Sequence, residues 1–122
     1  RRHTVPIRIQ APFDDPLVFA NSLIINTLTE VMGERPTLHA FGAVVTQNGA
    51  RMQHVHREHP LLFNDDNANA NVTPYASTVL LPLIDLDEQC GGTQLWEGTH
   101  LTSKDASWEG DPHVIYTPAG SA

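Results

Sequence analysis

One helical period near the front of the chain is followed only by short apolar runs cut by glycine, proline and asparagine. That order restricts the sequence to a mostly-β fold with a single flanking helix. Leu17, Ala20, Ile24, Leu28 and Val31 recur at intervals of three and four and make one apolar stripe. Asp14-Asp15-Pro16 supplies an acidic cap and a proline suited to a first helical position. Gly33 stands where a left-handed residue would close the element, so the pattern predicts a helix over 16–32.

The remaining segments read as strands. Val5, Ile7 and Ile9 alternate with polar neighbours over 4–10, and Pro6 pushes that strand to an edge. Residues 37–46 form the next candidate, ending in Gln47-Asn48-Gly49, a sequence suited to a tight hairpin with a strand over 51–58. Asn64-Asp65-Asp66-Asn67-Ala68-Asn69-Ala70-Asn71 has little apolar content and predicts a mobile surface loop, placed directly after that strand where a lid would sit. Residues 75–86 are the most hydrophobic segment and read as a strand through the core, with Pro82 marking an edge or bulge. A polar turn over 85–90 leads through Gly91-Gly92 to strands over 93–96 and 113–117, and Pro118-Ala119-Gly120-Ser121 forms a last turn. No internal repeat is visible, and 122 residues suit one domain.

Charge and composition narrow the function. Fourteen acidic residues face seven basic ones, and the basic residues are scattered, so the footprint of a nucleic-acid partner is missing. No apolar run is long enough to span a membrane, and Arg1-Arg2-His3-Thr4 does not resemble a secretion signal. The one cysteine, Cys90, excludes an intramolecular disulfide framework, and the expected location is cytoplasmic. With no initiating methionine, the chain reads as part of something longer.

The chemistry concentrates in Gln53-His54-Val55-His56-Arg57-Glu58-His59-Pro60. On a strand, side chains two residues apart share a face and stand roughly 7 Å apart, so His56 and Glu58 offer an imidazole and a carboxylate to one cation. Met52 and His54 share that face, while Gln53, Val55 and Arg57 share the other. Two such ligands with a further histidine would make the facial triad of non-haem Fe(II) oxygenases.

This motif continues through Leu61-Leu62-Phe63 and is followed by Gly91-Gly92-Thr93-Gln94-Leu95-Trp96-Glu97-Gly98-Thr99-His100. Together the two segments resemble the phytanoyl-CoA dioxygenase family of Fe(II)- and 2-oxoglutarate-dependent oxygenases. The resemblance extends to Phe13-Asp14-Asp15-Pro16 and to Leu80, Pro82 and Leu83. It implies a double-stranded β-helix, also called a jelly roll or cupin-like barrel, incomplete here, with one N-terminal helix. It also implies Fe(II), 2-oxoglutarate as co-substrate and oxidation of a small organic or acyl substrate. His56 matches the first iron ligand, and Glu58 stands where the family usually carries aspartate, one methylene shorter. His100 matches a histidine that supports the site without normally binding iron. The family's third ligand follows a turn resembling residues 118–121, and its basic 2-oxoglutarate partner comes later still. The alternative is a non-catalytic jelly-roll binding module that has lost the iron site.

Other residues carry weaker readings. Gln53 and Thr93 are candidate co-substrate contacts, and Trp96 either walls a substrate pocket or packs within the sheet. His54 and His113 are substitute ligands, His59 is a polar turn residue, and Arg57 is expected in an ion pair. Gly91-Gly92 is expected to allow a close backbone approach. Cys90 is expected to be an exposed free thiol. Open strand edges in an incomplete barrel predict self-association.

Overall fold

The computed structural model describes residues 1–101 and 110–122. The chain divides into two compact units, Arg1–His56 and Arg57–Ala122. The first contains strand β1 (Arg2–Pro6), helices α1 (Pro16–Phe19) and α2 (Ser22–Met32), and strand β2 (Gly42–Thr46). The second contains helix α3 (Asp66–Ala70), strand β3 (Thr93–Leu95), a 3₁₀ turn (Thr99–Leu101) and strand β4 (His113–Ile115). The described residues therefore combine a few short helices with two antiparallel sheets of two strands each.

In the first unit, β1 pairs with β2 from Arg2 opposite Thr46 to Pro6 opposite Gly42. The amide of Ile7 donates to Phe41 O at 3.0 Å and that of Gln47 to Arg1 O at 2.7 Å, extending the ribbon by one bond at each end. The strand predicted over 4–10 therefore begins earlier and stops at Pro6, and the one predicted over 37–46 is confined to its last five residues. Gly42 meets the facing strand closely: a Cβ there would lie 2.9 Å from Val5 O.

The predicted helix over 16–32 is broken near its start. Asp15 caps α1 by accepting from Leu17 N at 2.9 Å, with Pro16 in the first turn as anticipated. Asn21 then starts α2 by accepting from Leu23 N at 2.9 Å. Asparagine competes poorly in a helix interior because its amide bonds the local backbone, and here that preference ends one helix and caps the next. Gly33 closes α2 at φ 74°, with its amide bonded to Thr29 O. The half-buried face of α2 comprises Ile24, Ile25, Leu28, Thr29 and Met32. Leu17 and Val31, assigned to the stripe from sequence, are exposed.

Two predicted strands do not form. Gln47-Asn48-Gly49 does turn the chain, with Gly49 at φ 76° and Ala50 N bonded to Gln47 O, but residues 51–58 enter no ladder. Neither face of that segment carries the alternating apolar residues that fix a strand register. Residues 75–86 also lack strand structure and leave Leu83 and Ile84 84% and 61% exposed. Separate bonds tie that segment to the last turn: Leu86 N to Thr117 O, Gly120 N to Pro82 O and Ala119 N to Asp85 Oδ1, each 2.8 Å. Pro82 has no N–H and takes part only through its carbonyl.

In the second unit the polar stretch expected as a mobile loop folds into α3. Asp65 caps it by accepting from Ala68 N at 2.7 Å. Asn69 is the one buried residue among the described ones, and its amide closes the preceding bend. Asn69 Oδ1 accepts from Phe63 N at 3.1 Å, and Nδ2 donates to Phe63 O at 2.9 Å and Asp65 O at 2.8 Å. Helix α3 packs on the 3₁₀ turn. Strands β3 and β4, shorter than the 93–96 and 113–117 expected, pair with each other from Thr93 opposite Ile115 to Leu95 opposite His113. No helix of the described residues is long and apolar enough to cross a membrane.

Candidate metal-holding segment

His56 closes the first unit, and Glu58 is the second residue of the next. Both are exposed and lie on irregular backbone rather than the predicted strand. The His56 ring is nevertheless oriented. Its Nδ1 lies 2.8 Å from His54 O, and because a carbonyl only accepts, that nitrogen carries the proton and donates. A bond from a ring nitrogen to a backbone carbonyl is the kind that orients metal-ligating histidines. The His54 ring stands beside it, with centroids 5.4 Å apart and planes at 46°.

Within the second unit Arg57 joins the two motif segments. Its Nη1 donates to Thr99 O at 2.7 Å, tying the residue next to Glu58 to the turn that carries His100. Sequence reasoning placed Arg57 in an ion pair and missed this carbonyl contact. The two residues are 42 apart in sequence, and no local signal announces the pairing. Thr99 Oγ1 also donates to Trp96 O at 2.8 Å, so the stretch from β3 to the turn is cross-braced.

The weaker candidates are dispersed. Gln53 is exposed on the irregular segment, and His100 is exposed in the 3₁₀ turn. Thr93 opens β3 and is half-buried opposite Ile115. Trp96 is half-buried, and its Nε1 donates to Gly110 O at 3.2 Å, a structural bond across the β3–β4 connection. His113 lies 3.6 Å from Glu97 Oε1, both side chains well exposed, which gives the substitute-ligand candidate a carboxylate neighbour on its own hairpin. His59 is half-buried, with Nε2 3.1 Å from Thr78 Oγ1 and its ring edge-on to Tyr75, whose hydroxyl donates to Pro60 O. The turn role expected for His59 thus includes anchoring the chain to residues 75–78.

Gly92 bears out the close approach expected of the glycine pair. A Cβ there would lie 2.6 Å from Ile115 O and 2.7 Å from Val114 Cγ1. Gly91 supplies the turn at φ 82°. Before it, Asp87 Oδ1 accepts from Gln89 N at 2.9 Å and Cys90 N at 2.8 Å, and these bonds lower the Asp87 pKa. Cys90 is an exposed free thiol. Its pKa is raised, first by loss of hydration and then by the neighbouring Asp87 charge, so the environment opposes thiolate formation.

No family model, curated protein or solved structure matches this chain.

Among the described residues no group of three or more histidine, cysteine or acidic side chains is gathered about a common point. Of the ligands expected from sequence, His56 carries an imidazole and Glu58 a carboxylate, side-chain types that a divalent iron accepts. An imidazole nitrogen and a carboxylate oxygen are the ligand types of that ion's facial triad.

Proposed function

We propose that this chain carries the metal-holding segment of an Fe(II)- and 2-oxoglutarate-dependent oxygenase of the phytanoyl-CoA dioxygenase type, with its small antiparallel sheets belonging to a double-stranded β-helix. The observation that carries this reading is the orientation of the His56 ring, whose Nδ1 lies 2.8 Å from His54 O. The Arg57–Thr99 bond supports it by linking the His-x-Glu segment to the glycine-rich hairpin that forms the other half of the resemblance.

In this reading His56 and Glu58 would hold the iron, which would activate dioxygen, the oxidant, to hydroxylate a small organic or acyl substrate while 2-oxoglutarate supplies the other two electrons and is itself oxidised to succinate and carbon dioxide. The chain's own share is positional. His54 fixes the ring through its carbonyl, Arg57 braces the strand-to-turn connection, and Gly92 lets β3 and β4 close behind it. Glu58 replaces the aspartate usual at this position, so its longer side chain must bend to reach the same ion.

The test is calorimetric titration of 2-oxoglutarate into the Mn(II)-loaded chain, Mn(II) standing in for Fe(II) without oxidation. Binding is expected to require the metal, to vanish in His56→Ala and to tighten in Glu58→Asp. Metal-independent binding that is unchanged in His56→Ala would overturn the proposal.

A further inference from the structure

We propose that Asn48-Gly49 is a self-modifying site, where the turn after β2 converts its asparagine to a mixture of aspartyl and isoaspartyl residues without enzyme or cofactor. The site lies wholly within the first unit and does not rest on the oxygenase reading.

The chemistry asks for an asparagine whose side chain is not held, followed by a residue whose backbone nitrogen can reach it. Of the seven asparagines, Asn48 alone precedes glycine, which has no side chain to hinder the approach of its own nitrogen. Asn48 and Gly49 are both exposed, and among the described residues no hydrogen bond engages the Asn48 side chain or the Gly49 amide. The bond across the turn, from Ala50 N to Gln47 O at 3.0 Å, spans the two residues without using either. Gly49 sits at φ 76°, and nothing stands within 4 Å of the position its Cβ would take, so the tip of the turn is open on that side. Most other asparagines are held. Asn21 caps α2, Asn26 lies inside that helix, where the next amide is committed to the helical ladder, and Asn69 and Asn71 bond the backbone around α3.

In the reaction the Gly49 amide nitrogen gives up its proton and attacks Asn48 Cγ. The new N–C bond closes a five-membered succinimide as the Cγ–Nδ2 bond breaks, and the side-chain nitrogen leaves with that proton as ammonia. Water then opens the ring. Addition at Cγ gives aspartate on the original backbone, whereas addition at the Asn48 carbonyl carbon reroutes the backbone through Cγ and frees the α-carboxyl group. No electrons change hands, and water is the one co-reactant. Either product makes the chain one charge more negative than its formal −7. The isoaspartyl product also lengthens the backbone between Gln47 and Ala50 by one carbon, which breaks the bond that closes the turn. The connection from β2 to the segment carrying His54 and His56 is loosened as a result.

The experiment is incubation of the full chain in mildly alkaline buffer, followed over time by peptide mass spectrometry with fragmentation that distinguishes aspartyl from isoaspartyl residues. The peptide carrying Asn48 is expected to gain the mass difference between an amide and a carboxylic acid before any other asparagine reacts, with isoaspartate in excess over aspartate. Asn48→Gln, which enlarges the ring to be closed, and Gly49→Ala are each expected to lose most of that conversion. In the isoaspartyl fraction the Ala50 amide is expected to lose its protection from hydrogen exchange. Asn48 left intact while other asparagines react, aspartate formed without isoaspartate, or conversion undiminished in Gly49→Ala would overturn the inference. An Ala50 amide still protected in the isoaspartyl fraction would overturn the loosening of the turn.

Discussion

At the scale of single residues, the group that does most for local order is a buried amide. Asn69 satisfies three backbone groups around the bend between Phe63 and α3, and it does so where water is excluded. Removing a buried side chain of this kind strands its partners, at about 1–3 kcal/mol for each group left unpaired. Asn69→Ala should therefore destabilise the second unit by about 2 kcal/mol or more in denaturant titration, with faster hydrogen exchange at the Phe63 amide. A second residue-scale prediction concerns Asp87. Its carboxylate accepts from the Gln89 and Cys90 amides, and those bonds place its folded pKa below the ordinary value of 3.8. The ionised form is thus favoured by folding. The contribution is fully present above that ordinary value and is lost as pH falls through the lower folded one. The amide shifts of Gln89 and Cys90 should titrate with a midpoint below 3.8, and Asp87→Asn should abolish the titration while keeping an acceptor for the turn.

Among the elements, the β3–β4 hairpin depends most sharply on one position. Gly92 faces the Ile115 carbonyl so closely that any Cβ would sit 2.6 Å from it, and a backbone atom cannot swing aside. Gly92→Ala should break the pairing of Thr93 with Ile115, seen as loss of exchange protection on both strands and a cost of about 1–3 kcal/mol. Much of this was legible in sequence, because glycine, proline and capping residues act through local geometry. The Asp15 and Gly33 caps, the Gly49 turn, the close approach at Gly91-Gly92 and the β3 and β4 segments were all readable that way. What was not legible depended on partners distant in sequence. Nothing in 51–58 or 75–86 announces whether a neighbouring strand is available to complete a ladder. Asn21 reads as an interior residue of the helix predicted over 16–32 until its side chain is seen to cap α2. Helix α3 was legible in principle: Asp65 followed by Asp66 is a helix-start signature, outweighed by the asparagine-rich composition around it. For the candidate site, His56 and Glu58 were proposed from the sequence, whereas the His56–His54 contact and the Arg57–Thr99 brace required coordinates.

For the molecule as a whole, the decisive quantity is surface. No hydrophobic side chain among the described residues is fully buried, and Leu23 of α2 and Leu83 are 74% and 84% exposed. Two-stranded ribbons also leave backbone donors and acceptors open along their outer edges. Concentration-dependent association is the expected consequence, checked by light scattering across a dilution series. A mass that stays at 13.4 kDa at every concentration would contradict it. The account's central claim is that His56 and Glu58 hold Fe(II) in a setting where 2-oxoglutarate can join it. The most direct measurement is the visible absorption of the anaerobic Fe(II)-loaded chain as 2-oxoglutarate is added. A saturable metal-to-ligand charge-transfer band, weakened in Glu58→Ala and absent in His56→Ala, is predicted. No band in the wild-type chain, or a band of equal strength in His56→Ala, would contradict the claim.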